Sequence, residues 1–182
     1  GLSPIVRDID KRIRLEIDRV PRSIVILINA RRCLEARSSG QQPVAVAEGR
    51  ADLGLSVRPA PQQRLRYEHL LDDPMVLLCR ADDPLAARPS VPWSVFAQRP
   101  FISSAPASSI RQITDAVFVQ RRLAQRPALE YPSVSACGAL VGAGLGISAV
   151  PRLTLGLVNM QGLTAVPLVR PQTSRDIGIV TR

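Results

Sequence analysis

Apolar runs of five to eight residues recur along this chain, and the stretches between them carry either helical spacing or turn chemistry. SIVILINA (23–30), ADLGLSV (51–57), MVLLCR (75–80) and ISAVP (147–151) are rich in β-branched and aliphatic residues with no polar alternation. That pattern belongs to strands covered on both faces. LRYEHLL (65–71) alternates instead, and PFISS (100–104), ALEYPSV (128–134), GLTAVPLV (162–169) and RDIGIVTR (175–182) complete the predicted strands. Two long helices stand between them. In 4–19, Ile5, Ile9, Ile13 and Ile17 recur every fourth residue behind Ser3 and Pro4. In 108–124, Ser108 is the cap and Ile110, Ile113, Val117 and Leu123 form the stripe. A small-residue helix is expected over 136–146 and helical turns at 44–50, 91–98 and 153–158. Residues 31–43 read as a polar loop, and Asp72–Asp73 and Asp82–Asp83, each followed by proline, read as turns. Strands alternating with helices define an α/β chain with mixed sheets.

The 182 residues suit one domain or two small lobes. A chain of this size buries roughly 70% of its unfolded surface, so neither disulfide nor metal is needed to hold it. Although 46% of residues are hydrophobic, no run approaches the ~18 apolar residues of a membrane span. Charges from Arg7 to Arg19 leave no signal-peptide core in the first twenty residues. Cys33, Cys79 and Cys137 are odd in number and form no CxxC, which points to a reducing, cytoplasmic setting. His69 is the only histidine, so no metal site is expected. The net charge of +9 comes from arginines scattered along the chain, Lys11 being the only lysine, and aromatics are 3%. That describes a basic surface, not a stacking platform for nucleic acid.

Catalytic groupings are missing. His69 sits mid-strand, no serine lies in a GxSxG context, and GAGLG (142–146) lacks the lysine of a phosphate-binding loop. A small-ligand cleft has more in its favour. In FISSAPASSIR (101–111) a strand ends in Ser103 and Ser104 ahead of a helix N-terminus, where hydroxyls and backbone N–H groups suit an anion. In SVRP (56–59) a buried strand ends in Ser56 and Arg58, and ligands of α/β sheets sit beyond strand carboxyl ends.

Taken in order, EGRADLGL (48–55), YEHLLDDPMVLLCRADDPLA (67–86), VPWSVFAQRPFI (91–102), LVGAGLGISAVP (140–151) and IGIV (177–180) resemble the effector-binding domain of LysR-type transcriptional regulators. The resemblance covers most of 44–182. It implies two Rossmann-like lobes with mixed sheets joined by a two-strand hinge, like the type II periplasmic binding proteins. Lobe I would hold 1–79 and 151–182, lobe II 80–150, with crossovers near Cys79–Ala81 and Ile147–Val150. A small, anionic metabolite would bind between the lobes, facing Arg58, Ser103, Ser104, Ser135, Ala136, Gly146, Ile147 and Ser148. No catalysis, cofactor, metal or membrane is implied. The family also pairs into homodimers or tetramers, the 4–19 helix packing on the partner's 108–124 helix. It reaches DNA through an N-terminal winged helix-turn-helix outside this chain, and its first core strand and following loop would either be missing or lie outside these residues. A solute-binding component of a transport system, or a two-lobed enzyme, would share the architecture.

Overall fold

The computed structural model describes residues 26–28, 34–36, 42–51, 53–59 and 65–182. The helix expected at 4–19 lies outside them, as do the ends of the strand expected at 23–30. Ten strands and three α-helices are described: β1 Ile26–Ile28, β2 Leu34–Ala36, α1 Gln42–Ala47, β3 Leu53–Val57, β4 Arg66–Arg80, β5 Val91–Pro92, β6 Ile102–Ser104, α2 Ser109–Gln120, β7 Leu129–Tyr131, α3 Val134–Gly142, β8 Ser148–Pro151, β9 Leu163–Val169 and β10 Ser174–Thr181. Short 3-10 helices fill Pro84–Ala87, Trp93–Gln98 and Arg152–Leu157. The expected loop at 31–43 contains β2, which pairs antiparallel with β1.

β4 organises the molecule. The sequence predicts two strands separated by a turn at Asp72–Asp73–Pro74, but one strand of 15 residues runs through. Proline is tolerated because it falls where β4 changes neighbours. Pro74 opposes Ser174 at the end of the β10 ladder, and Met75 is the first residue paired with β8. The missing N–H therefore costs no mid-ladder bond. The first half of β4 pairs with β10, which continues to β3 and β1. The second half pairs antiparallel with β8 and β9, and β5 adds in parallel. β6 and β7 run parallel, joined to β8 by a bridge between Phe101 and Ile147. Residues 163–169 thus lie between the second half of β4 and β5 rather than beside β10.

Alternation along β4 splits the core of this second half in two. Met75, Leu77 and Cys79 point to one face, with Val166, Leu168 and α2. Val76 and Leu78 point to the other, with Leu163 and α3. The first face holds the chain's single tryptophan and all three phenylalanines. Trp93, Phe96, Phe101 and Phe118 meet with ring centroids 5.1–6.0 Å apart, mostly tilted or edge-on. The first half keeps a smaller cluster of Ala45, Val46, Ala51 and Val180.

Helix ends follow local chemistry. Ser108 Oγ accepts from the Ile110 N–H and caps α2 as expected. The helix closes at Gln120 rather than at 124, because Arg122 N–H reaches Val119 O and Leu123 N–H reaches Phe118 O, the paired bonds of a Schellman motif. Glycine normally fills the left-handed position of that motif. Here Arg122 holds it at φ 54°, at a cost of about 1 kcal/mol or more. Asp83 does form the expected turn, its carboxylate accepting from the Leu85 N–H.

Candidate functional site

The serines predicted to face a ligand cluster at the carboxyl ends of β6 and β7. Ser103 and Ser104 are buried, at 2% and 4% exposure. Successive strand residues face opposite ways, so Ser104 lies on the α3 side with Ile102, and Ser103 on the α2 side with Phe101. Ser104 is the register partner of Tyr131 in β7. Ser148 is fully buried at the start of β8, and its Oγ donates to Ile102 O at 2.7 Å. Gly146 and Ile147 are drawn in by the backbone: Ile147 N–H bonds Pro100 O, and Ile102 N–H bonds Ile147 O. The Ile147 side chain belongs to the core. Gly146 has to be glycine, since its φ is 155° and a Cβ would overlap the Pro100 carbonyl oxygen. This is the close backbone packing that the GAGLG segment supplies.

Ser135 and Ala136 begin α3, one turn from this group. Ser133 caps the helix, its Oγ accepting from the Ala136 N–H at 3.4 Å and standing 3.0 Å from Ser135 Oγ. Ser135 is exposed, which leaves it open to a ligand.

Two side chains at this site escape sequence reading. Tyr131 is 2% exposed, and burial holds its phenol well above the ordinary range, beside Cys137, Ser148 and Ser104. Ser103 Oγ has no hydrogen-bond partner among the described residues, and Tyr131 Oη and Ser104 Oγ have none beyond one another and the neighbouring Ser148 and Cys137. Buried hydroxyls left unpaired cost about 1–3 kcal/mol each. A tyrosine ending a short strand gives no sequence signal of this. The second is Arg111, in the first turn of α2. It bonds Ser104 O at 3.4 Å, Glu130 at 2.7 Å and Asp115 at 2.9 Å. Its spacing to Asp115 was legible; its reach to Glu130 needed the β6–β7 pairing.

Arg58 stands on the other half, just beyond β3, and is not free. Its Nε lies 2.8 Å from Asp176 Oδ2, and its guanidinium sits 4.3 Å above the Tyr67 ring. Tyr67 donates to Asp176 Oδ1 at 2.6 Å, and His69 Nδ1 lies 2.7 Å from the same oxygen. Burial pushes the Asp176 carboxyl up, but the bonds from Tyr67, His69 and Arg58 outweigh it and hold the group down to about 2. His69, Asp72 and Asp176 have ligand atoms within 4.8 Å of one another. A guanidinium already occupies one Asp176 oxygen, so the arrangement works as an ion-pair network and disfavours an added cation.

A sheet system shared by two halves, with buried serines at the strand ends of one and an arginine at a strand end of the other, is the architecture of periplasmic-binding-protein-like domains. The LysR substrate binding domain model matches residues 33–182, and the chain belongs to that family. It is 30% identical over 137 residues to the HTH-type transcriptional regulator YbhD of Escherichia coli, covering 72% of this chain and 42% of that one. It is 27% identical over 125 residues to the RuBisCO operon transcriptional regulator of Acidithiobacillus ferrooxidans, covering 69% and 40%. The chain spans less than half the length of these curated relatives. Among solved structures, the Synechocystis CcmR regulatory domain in complex with 2-PG aligns with a TM-score of 0.73 at 23% identity, covering 97% of this chain and 83% of that one. The BenM effector binding domain with benzoate aligns at 0.69 and 24%, covering 80% and 67%. The relatives are transcriptional regulators, which favours that reading over a transport component. No helix among the described residues is long and apolar enough to cross a membrane.

Proposed function

We propose that this chain is the effector-sensing part of a cytoplasmic, DNA-binding regulator, and that it performs no chemistry of its own. It would take a small organic anion between two lobes, and the effector would shift the population toward one lobe orientation. A homodimer or tetramer would carry that shift to an N-terminal winged helix-turn-helix. The observation that carries the reading is the set of buried, under-bonded hydroxyls of Ser103, Ser104 and Tyr131 at the strand ends of one half. The BenM domain with benzoate, the CcmR domain with 2-PG and the similarly folded QuiR effector binding domain in complex with shikimate support the ligand class. Arg58 would leave Asp176 to meet the effector's carboxylate, and Ser135, Ala136 and Gly146–Ser148 would line the opposite wall.

The lobes, expected to divide at 79/80 and 150/151, are better divided within β4 and in the 170–173 link. β9 pairs with the second half of β4 and β10 with the first, which supports placing both crossovers there.

The test is thermal unfolding against a panel of small carboxylates that includes benzoate, shikimate and 2-PG. A ligand at 100 times its Kd adds about 2.7 kcal/mol of stability. Arg58→Ala should weaken the responding ligand by about 1.5–3 kcal/mol, the value of a charged hydrogen bond. A panel with no saturable response, or a response indifferent to both Arg58→Ala and Ser104→Ala, overturns the reading.

A further inference from the structure

Away from the strand ends, a cavity of about 230 Å³ opens between the C-terminus of α2 and the end of β9. Ser94, Gln120, Arg121, Arg122, Leu123 and Arg170 line it, together with Pro92 of β5. No carboxylate is among them, and none of the three arginines has an ion-pair partner among the described residues. A second observation concerns the backbone. Of the described non-glycine residues, only Arg122 (φ 54°) and Arg170 (φ 59°) are in the left-handed region, and both line this cavity. Non-glycine residues held there persist where the surroundings over-determine them, and they gather at ligand clamps.

The surroundings do over-determine these two. The Schellman bonds fix Arg122. On the other wall, Pro92 pairs with Val169, and Trp93 Nε1 donates to Pro171 O at 3.0 Å, clamping the backbone on both sides of Arg170. Phe118, packed edge-on against Trp93, ties the two walls together. Glycine would relieve both backbones, so what arginine adds at these positions is its side chain.

We propose that this cavity is a second anion site, distinct from the interlobe cleft, which takes a compact multivalent oxyanion of the phosphate class, free or as a phosphoester group. Guanidinium forks suit such oxygens, and Ser94 and Gln120 add neutral donors. The site joins α2 to the segment that leads into β10, so occupancy would stiffen the passage between the two halves.

The experiment titrates inorganic phosphate into the 182-residue chain by calorimetry and follows unfolding temperature, with sodium chloride at matched ionic strength as reference. Saturable binding is expected. Arg122→Gly and Arg170→Gly should each weaken it about ten-fold or more, the size of one lost charge-assisted bond, with unfolding temperatures in phosphate-free buffer no lower than wild type. Arg152→Gln, exposed and outside the cavity, should bind as wild type does. The site is overturned if wild type shows no saturable binding, if chloride reproduces the effect, or if both glycine variants bind normally. A response abolished by Arg58→Ala but not by Arg122→Gly would place the ion between the lobes and also overturn it. A phosphomonoester such as glycerol phosphate, run beside inorganic phosphate, separates the free ion from the esterified group.

Discussion

Asp73 and Arg175 face each other across the β4–β10 ladder with 2.6 Å between carboxylate and guanidinium, and their side chains are 0% and 9% exposed. The other Asp73 oxygen accepts from the Leu153 N–H at 2.9 Å. One carboxylate thus stitches together the midpoint of β4, the start of β10 and the 3-10 helix after β8. Breaking a buried pair from one side strands the other charge, and costs about 3–5 kcal/mol. Asp73→Ala should lower stability by that amount in denaturant titration. Asp73→Leu combined with Arg175→Met should recover part of it; a double variant no better than the single one would mean that the Leu153 bond dominates.

Glycines 146 and 156 should respond in opposite ways to alanine. A Cβ at position 146 meets the Pro100 carbonyl in a backbone with φ 155°, whereas nothing lies within 4 Å of a Cβ at 156. Gly146→Ala should cost about 1–3 kcal/mol. Gly156→Ala should be neutral or add up to about 1 kcal/mol by restricting the unfolded chain. Equal midpoints for the two variants would contradict the packing of Pro100 against Gly146.

The Asp176 network sets a pH dependence with a defined sign. Its carboxyl titrates near 2 in the folded chain, against about 3.9 when unfolded. The network therefore contributes fully above about pH 4, and its contribution is lost as pH falls from there toward 2. The carboxylate is a third exposed, so the contribution is about 1 kcal/mol or less. Unfolding of wild type and Asp176→Asn should differ most at neutral pH and converge at the acid end; a gap that widens on acidification would refute the assignment.

Cys79 and Cys137 should be inert thiols. Burial pushes Cys79 up to about 11 and also raises Cys137. Neither should react with a thiol-specific alkylating agent at pH 8 until the protein is unfolded. Peptide mapping of alkylated protein before and after denaturation reads this directly, and fast native labelling of either cysteine would show that its cluster opens.

The α2 stripe faces the core. Ile110 and Val117 are buried, and Ile113 and Leu123 pack against them. Val119 is the large apolar residue of that helix left exposed, at 79%. In sedimentation Val119→Asp should dissociate a dimer built on α2 while leaving unfolding within about 0.5 kcal/mol of wild type; a dimer that survives would move the interface elsewhere.

Strand identity along much of the chain was legible because β-branched runs and turn residues act locally. β3, β6, β8, β9, β10 and the Ser108 cap all follow from short-range chemistry. Asp72–Asp73–Pro74 was not legible as strand, because its chemistry is that of a turn. Only the distant Arg175 makes a buried aspartate there affordable, and only the change of strand partners makes the proline harmless. The site shows the same division. Ser103 and Ser104 announce themselves beside a helix cap, whereas Tyr131 and Arg111 acquire their roles through pairing of β6 with β7. Arg58 could be read as a carboxylate binder, but its engagement with Asp176 depends on β10, more than a hundred residues away.

β4 measures about 50 Å from end to end, at about 3.3 Å per residue. Its first half is hydrogen-bonded into one group of strands and its second half into another. Neither group is complete without it, so the halves cannot be cut apart and expressed as separate pieces. Unfolding should be a single transition that Trp93 fluorescence and far-ultraviolet dichroism report at the same midpoint. Any reorientation of one half against the other must then be absorbed as twist at the two passages between them, β4 and the 170–173 link. The molecule behaves less like two shells on a pin than like two plates joined by a pair of torsion bars.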